Sequence, residues 1–353
     1  MITSINDNKV TVVKQLNYLY RFTILLFKQL FHVYSVLIQQ FITAKLSFMN
    51  KQINNLIDNA NKIILGKDTQ IRLALSCIFA RGHLLIEDLP GMGKTTLAHL
   101  LAKLMGLQYN RIQFTSDLLP TDLIGVTIYD KDSGSFSFHP GPVFTQVILA
   151  DEINRATPKA QSALLEAMEE KQVTVEGESR SLPEPFFVIA TQNPSHHIGT
   201  YPLPESQYDR FMMRIELGYP DRHAERSILT GRDRSIMLQT LPACMSAAEV
   251  IEIQSKVPQV YVSDALLDYL QDIVEFSRNG LGDNPGLSPR GSLAMLRCAQ
   301  AWAYIDGRDA VIPEDIQTIL PASVTHRLRQ TGEQTGNQSS NIAKQLLESV
   351  PIP

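Results

Sequence analysis

Short apolar runs alternate with stretches of helical periodicity over residues 83–220 of this chain. Each run holds three to five consecutive apolar residues, which is typical of strands buried on both faces of a sheet. Between the runs, apolar residues recur every three or four positions, as in Leu97, Leu100 and Leu104, and predict helices. Strands and helices in alternation predict an α/β domain with a parallel sheet. The runs lie at residues 84–86, 147–150 and 186–190.

The pattern changes after Pro220, where mainly helical periodicity follows and predicts a separate all-α domain. Two pairs of short β-like runs, at residues 125–144 and 172–182, carry glycine between their runs and predict β-hairpins. Residues 204–215 predict a helix. The polar stretch at residues 331–340 predicts a flexible segment. The predicted units are an N-terminal extension (1–48), an α/β core (49–219), a helical domain (220–330) and a flexible tail (331–353).

The first 48 residues differ from the rest in charge, with a net +4 against −8 for the remainder. The apolar stretch at residues 22–41 is interrupted by Lys28, His32 and several glutamines, so it makes a poor membrane-spanning helix. No small-residue cleavage site follows a compact apolar core, as a signal peptide requires. Two interpretations remain: a basic amphipathic helix that touches a membrane or a partner, or sequence upstream of a true start at Met49. The second is favoured.

Composition narrows the class of protein. With 353 residues, 44% hydrophobic and 19% charged, the chain is typical of a globular protein with two or three domains. A net charge of −4 gives no indication of nonspecific nucleic-acid binding. The three cysteines are isolated and form no C-x-x-C pair, which favours a reducing, cytoplasmic location.

The stretch from His83 to Ala98, HLLIEDLPGMGKTTLA, has the order strand, glycine-rich turn and helix that a phosphate-binding loop requires. Lys94 is expected to reach the β- and γ-phosphates, and the Thr95 hydroxyl to ligate Mg²⁺. Asp88 stands where the full pattern G-x-x-x-x-G-K-[ST] has a glycine, so a simple turn between core elements is the alternative. The predicted nucleotide-binding residues are Asp88, Leu89, Pro90, Gly91, Met92, Gly93, Lys94, Thr95 and Thr96.

Polar residues follow the other two apolar runs. Asp151 and Glu152 come directly after residues 147–150, and ligands of open α/β sheets bind at the carboxyl ends of strands. Asp151 is expected to hold Mg²⁺ and Glu152 to polarise the attacking water; a solvated acidic turn is the alternative. Asn193 follows residues 186–190 and either orients the hydrolytic water or only forms a turn before Pro194.

Taken together, these motifs resemble the MoxR branch of the AAA+ ATPases, in the clade with a hairpin inserted in helix 2. The resemblance covers about residues 50–330 and leaves the first 48 outside. It is carried by EDLPGMGKTTLA, PTDLIG, HPGPVF, LADEINRATPKAQSALLEAMEEKQVT, ATQNP, GTYPLPESQYDRF and LSPRGSLAMLRCAQAWAYIDGRDAVIPEDI.

The resemblance implies a three-layer αβα P-loop core with a parallel sheet, followed by a small all-α lid. For Arg214, a structural ion pair is the favoured interpretation. The implied roles are Walker A for Lys94 and Thr95, Walker B for Asp151 and Glu152, sensor 1 for Asn193, arginine finger in trans for Arg210, and sensor 2 for Arg290.

The resemblance further implies ATP and Mg²⁺ as cofactors and a ring oligomer, expected to be a hexamer. The implied function is chaperone-like remodelling or maturation of a partner protein, with von Willebrand factor A domain proteins as the expected partners. A DNA-associated motor is one alternative, although both hairpins are short and not basic, and no nucleic-acid partner is expected. A nucleotide-gated scaffold without catalysis is the other. Membrane contact is expected only if residues 1–48 belong to the protein.

Overall fold

The computed structural model describes residues 49–132, 134–193, 200–231, 234–281, 286–328 and 337–352. The chain divides into two compact units, residues 1–51 and 52–353, and everything below concerns the second. The predictions for residues 1–48 lie outside the described residues. Within the described residues, no helix is long and apolar enough to span a bilayer.

A five-stranded parallel sheet forms the centre of the molecule, in the order β2-β5-β8-β1-β9. The three strands in the middle of this order are buried along their whole length, which explains their uninterrupted apolar runs. The predicted parallel α/β sheet is therefore confirmed. Its strands are β1 (Leu84–Glu87), β2 (Tyr109–Gln113), β5 (Val147–Asp151), β8 (Phe187–Gln192) and β9 (Met213–Ile215).

Helices cover both faces of this sheet. On one face, Leu85, Ile148 and Val188 pack in a single cluster with Leu164 and Met168. On the other, α2 contacts β1 and α3 contacts β5. Alternate residues of each strand thus meet different helices, as the period of two in a strand dictates. The helices of the α/β part are α1 (residues 49–63), α2 (Asp68–Phe79), α3 (Lys94–Leu104), α4 (Pro120–Ile124), α5 (Pro158–Glu170) and α6 (Glu205–Tyr208).

Two antiparallel hairpins project from this layered core, as the sequence predicts. The first pairs β3 (Gly125–Asp130) with β4 (Ser135–Pro140) and lies between β2 and β5 in the chain. The second pairs β6 (Gln172–Val175) with β7 (Glu178–Ser181), directly after α5.

The prediction of a helix over residues 204–215 is wrong. Only α6 is helical there, and the chain then extends into strand β9. Met213, Arg214 and Ile215 pair in parallel with β1, and all three are buried. Each of these residues pairs with one that is 129 positions away in the sequence, a tertiary contact that local periodicity does not report.

The described part of the chain after β9 is mainly helical, and α11 packs against α2 of the α/β part. The prediction of a flexible tail is wrong for its described part, because α13 contacts α10 and α12 and buries Ala343 and Leu346. The prediction rested on the polar residues 331–340, which overlap the start of α13 and give no indication of this apolar face. The helices are α7 (Arg222–Thr230), α8 (Arg234–Thr240), α9 (Ala247–Lys256), α10 (Asp264–Asn279), α11 (Pro289–Ile305), α12 (Pro313–Val324) and α13 (Asn337–Ser349).

Candidate functional site

The glycine-rich turn between β1 and α3 forms an open cradle. Gly91 and Gly93 have φ of +84° and +90°, a region that side chains rarely adopt. A Cβ on Gly91 would meet no atom within 4 Å, so the space around this backbone is open. Gly93 also occupies the N-cap of α3, and no side chain caps this helix. The first N–H groups of α3 therefore have no capping oxygen and suit an anion such as a phosphate.

Lys94, the first residue of α3, points into a buried polar network. Its ammonium group donates to the Asn193 Oδ1 atom at 2.8 Å and to the carbonyl of Asp88. Burial lowers the pKa of Lys94, while the nearby carboxylates of Asp88, Asp151 and Glu152 act in the opposite direction. Phosphate oxygens would supply the negative charge that best stabilises a buried ammonium group.

Asp151 ends strand β5 and is held by two neighbouring strands. Its Oδ1 atom accepts a 2.5 Å hydrogen bond from the Thr191 hydroxyl of β8. Its Oδ2 atom accepts from the Arg111 guanidinium of β2 at 2.6 Å and 3.1 Å. A carboxylate has acceptor capacity beyond these bonds, so the position fits a ligand of Mg²⁺, directly or through water.

Glu152 stands in a left-handed conformation with φ of +56°, which a non-glycine residue rarely adopts. Its N–H group donates to the Thr191 hydroxyl at 2.9 Å, which contributes to holding this backbone. Its carboxylate accepts from Gln113 at 2.9 Å and pairs with Arg155 at 3.1 Å. Strained backbone of this kind is common where a side chain must be aimed at a reacting group.

Asn193 links the lysine of the glycine-rich turn to the glutamate that follows β5. Its Oδ1 atom accepts from Lys94, and its Nδ2 atom donates to the Glu152 carboxylate at 3.1 Å. The turn-forming interpretation alone does not account for these two contacts. The structure thus brings together the lysine of the loop, the acid of β5 and the amide after β8. These residues follow three strands that are neighbours in the sheet.

Arg210 and Arg290 lie away from this network, beside each other. The Glu169 carboxylate pairs with both: with Arg210 at 2.9 Å and with Arg290 through a second oxygen. Both arginines line a cavity of about 350 Å³ together with Gly82 and His83, which precede β1. The loop begins at the other end of β1, and four strand residues correspond to roughly 13 Å. The two arginines therefore lie at the opposite edge of the sheet from Lys94.

Comparison with known proteins shows the family of this chain. Residues 83–213 match the ATPase family associated with various cellular activities (AAA), and residues 284–346 match the AAA lid domain. The chain is 37% identical to the chaperone MoxR1 of Mycobacterium tuberculosis (strain ATCC 25618 / H37Rv), over 84% of this chain and 81% of that protein. It belongs to the MoxR family of AAA+ ATPases.

Two further relatives extend the comparison. The YeaC protein of Bacillus subtilis (strain 168) is 42% identical over 84% of this chain and 93% of its own length. A protein from Cytophaga hutchinsonii that is assigned as an ATPase, known from a crystal structure, superposes with a TM-score of 0.77 at 37% identity. That likeness covers 88% of this chain and 98% of the other. The likeness to each of these two relatives thus extends along most of the chain.

Within this MoxR-family fold, Arg214 forms a buried ion pair. Its side chain is 7% exposed and pairs with Glu87, which is 4% exposed, on the adjacent strand β1. It also pairs with Glu216, and Gln192 donates to the second Glu87 oxygen at 3.1 Å. These contacts agree with the favoured interpretation of Arg214 as a structural residue.

The sequence analysis did not identify four residues whose side chains contact the predicted site residues of this MoxR-family protein. Arg111 and Gln113 lie on the edge strand β2, whose alternating polar residues gave no functional signal. Thr191 lies two positions before the predicted amide Asn193, and a hydroxyl at the end of a buried strand is a signal that could have identified it. Glu169 belongs to a run of acids on the polar face of α5, where its two arginine partners were not predictable.

Proposed function

We propose that this protein binds and hydrolyses ATP in a Mg²⁺-dependent reaction, and that it uses this cycle to remodel a partner protein. The observation that carries the proposal is the bridge made by Asn193 between Lys94 and Glu152. Phosphoryl transfer needs charge stabilisation and an oriented water more than covalent chemistry. A cation, a carboxylate and an amide in one network can meet both requirements.

Each group has a distinct task in this proposal. The open cradle at residues 88–96 binds the phosphates through backbone N–H groups, and Lys94 contacts the β- and γ-phosphates. The Thr95 hydroxyl and the Asp151 carboxylate would hold Mg²⁺, which would neutralise the charge that develops on the phosphate oxygens. Glu152 accepts a proton from the attacking water, which Asn193 helps to orient.

The positions of Arg210 and Arg290 support a ring in which neighbouring subunits complete each site. Both lie at the sheet edge opposite Lys94, so within one subunit they are directed away from its own phosphates. A second subunit that docks its loop against this edge would receive both arginines. Such an interface joins two different surfaces, and its repetition closes into a ring, for which six subunits is the expected number.

The client is proposed to be a protein, in the first place one with a von Willebrand factor A domain. The relative named a chaperone supports a protein client. Two aromatic side chains at the tip of the β3–β4 hairpin, Tyr129 and Phe136, are 52% and 72% exposed. Exposed aromatic side chains suit contacts with proteins.

Nucleotide binding and turnover can be tested separately. Lys94→Ala is expected to abolish binding of a fluorescent ATP analogue, whereas Lys103→Ala on the same helix is the control and should bind normally. Glu152→Gln should retain binding and lose hydrolysis, with Glu170→Gln as its control. Unchanged binding in Lys94→Ala would refute the assignment of the loop.

The same variants address the alternatives. The Glu152→Gln protein should trap its client in the nucleotide-bound state, so a pull-down from a native extract tests the chaperone proposal. Hydrolysis stimulated by DNA and not by a trapped protein would favour a DNA motor. Full cellular function of Glu152→Gln would favour a nucleotide-gated scaffold.

A further inference from the structure

Asp88 occupies the loop position where the phosphate-binding pattern has a glycine, and its carboxylate has a defined use. Its Oδ1 atom accepts from the N–H group of Leu89 at 2.7 Å. Its Oδ2 atom accepts from two consecutive N–H groups, those of Leu217 at 2.7 Å and Gly218 at 2.6 Å. The residue is 8% exposed. A buried carboxylate with three N–H donors is well satisfied and is directed at the backbone.

The two distant partners of Asp88 lie in the connection between β9 and α7, where the chain enters the helical domain. Gly218 has φ of +62°. Left-handed residues allow successive N–H groups to converge on one anion, which matches this pair. Hydrogen bonds from N–H groups to a carboxylate are stronger than neutral ones. The carboxylate therefore fastens the phosphate-binding loop to the entrance of the lid.

The backbone of Asp88 is joined to the rest of the site. Its N–H group donates to the Gln192 carbonyl of β8 at 3.2 Å, and its own carbonyl accepts from the Lys94 ammonium group. Phosphate oxygens in the loop compete with this carbonyl for Lys94. One residue thus contacts the group that binds phosphate, the strand before Asn193, and the connection to the lid.

We propose that Asp88 is a positioning residue that couples the phosphate-binding loop to the lid, so that the position of the lid responds to the nucleotide in the loop. The proposal rests on the proposed ATP site. It also explains the departure from the glycine pattern, because a glycine has no carboxylate. Asp88→Gly, which restores the pattern, is accordingly expected to impair the coupling.

The test is hydrogen–deuterium exchange at the Leu217 and Gly218 amides, with and without a non-hydrolysable ATP analogue. In the wild-type protein these amides are expected to be protected, and the nucleotide should change their exchange together with that of α7. Asp88→Ala and Asp88→Gly should raise their exchange rates about ten- to hundredfold. Asp88→Asn keeps one acceptor oxygen but loses the charge and the second acceptor, so its exchange rates should lie between those of the wild type and Asp88→Ala.

A variant of Asp221 provides the matched control. Its carboxylate accepts from the Ala224 N–H group at 2.7 Å and caps α7, close to the same connection. Asp221→Ala should accelerate exchange in the first turn of α7 while Leu217 and Gly218 stay protected. Asp88→Gly should additionally lower kcat more than it raises KM, because binding to the loop persists while the lid no longer responds.

The outcomes separate this inference from the ATPase proposal. If the wild-type protein binds nucleotide but Asp88→Ala and Asp88→Gly exchange as it does, the coupling is refuted. If these variants do not fold, the wild-type measurement still decides, since no nucleotide effect on Leu217, Gly218 and α7 refutes the coupling. If the wild-type protein binds no nucleotide, the proposed ATP site and the proposed nucleotide response are both refuted. The exchange rates measured without nucleotide would still show whether Asp88 protects the Leu217 and Gly218 amides.

Discussion

Replacement of Arg214 by methionine distinguishes a structural ion pair from a catalytic arginine. The guanidinium lies between strands β9 and β1, where it pairs with Glu87 and Glu216. Methionine keeps much of the side-chain length and removes the charge. The Glu87 carboxylate would then remain buried, with the Gln192 amide at 3.1 Å as one remaining donor.

The size of the effect follows from burial. Removal of one partner of a buried ion pair costs roughly 3–5 kcal/mol, because the other charge is left without compensation. Arg214 and Glu87 are 7% and 4% exposed, so screening by water is weak. A domain has a total stability of roughly 5–15 kcal/mol, so the single variant loses a large part of it. The double variant Glu87→Gln/Arg214→Met removes both charges and should recover most of the loss.

The measurement is urea-induced unfolding of the wild type, both single variants and the double variant, which together give a coupling free energy. ATP hydrolysis is measured in parallel, at a temperature where each variant is folded. If the pair is structural, the rate of hydrolysis should depend only on the fraction of protein that is folded. The double variant should then regain both stability and hydrolysis. A loss below about 1 kcal/mol in Arg214→Met, with hydrolysis abolished, would refute the reasoning and indicate a catalytic Arg214.

Three further predictions concern other parts of the chain. Burial lowers the pKa of His83 from 6.5 to about 4, so the unfolded chain binds more protons between these values. Stability should therefore fall by roughly 3 kcal/mol as the pH drops from 7 towards 4, and unfolding curves of His83→Gln should lack this dependence. Arg210→Ala should bind ATP, but its hydrolysis should fall by about a thousandfold or more. Arg297→Ala, in the same cavity, should hydrolyse ATP at the normal rate. In mixed rings, Glu152→Gln subunits should restore hydrolysis by the Arg210→Ala subunits. Asn193→Ala should lower kcat about a hundredfold with near-normal nucleotide binding, and an unchanged kcat would make Asn193 a turn former only.

The sequence predicted the parts of this fold that depend on local pattern. Uninterrupted apolar runs identified β1, β5 and β8, because strands buried on both faces need apolar residues at every position. The polar residues that follow these strands were expected to meet at the carboxyl edge of the sheet, and Lys94 and Glu152 do meet there through Asn193.

The remaining features depend on contacts between distant positions. Strand β9 followed a helix-like sequence, and its pairing with β1 made it a strand. Glu169 is distinguished from its acidic neighbours only by its ion pairs with Arg210 and Arg290, which the sequence does not show. Helix α13 was concealed by a polar stretch, although its apolar face packs on α10 and α12. In each case the partner, and not the local composition, determines the role.

The same reasoning applies to the nucleotide site as a whole. The three strands that precede Lys94, Glu152 and Asn193 are adjacent in the sheet, whereas Arg210 precedes β9 and lies near the other end of β1. A parallel sheet keeps these two edges apart, so Arg210, which lies three residues before β9, cannot reach the phosphates of its own subunit while the sheet is intact. Within one subunit the two arginines pair with Glu169 instead. Under the proposed function, hydrolysis would therefore require that the phosphates of a neighbouring subunit draw Arg210 away from Glu169, and assembly would be a condition of catalysis.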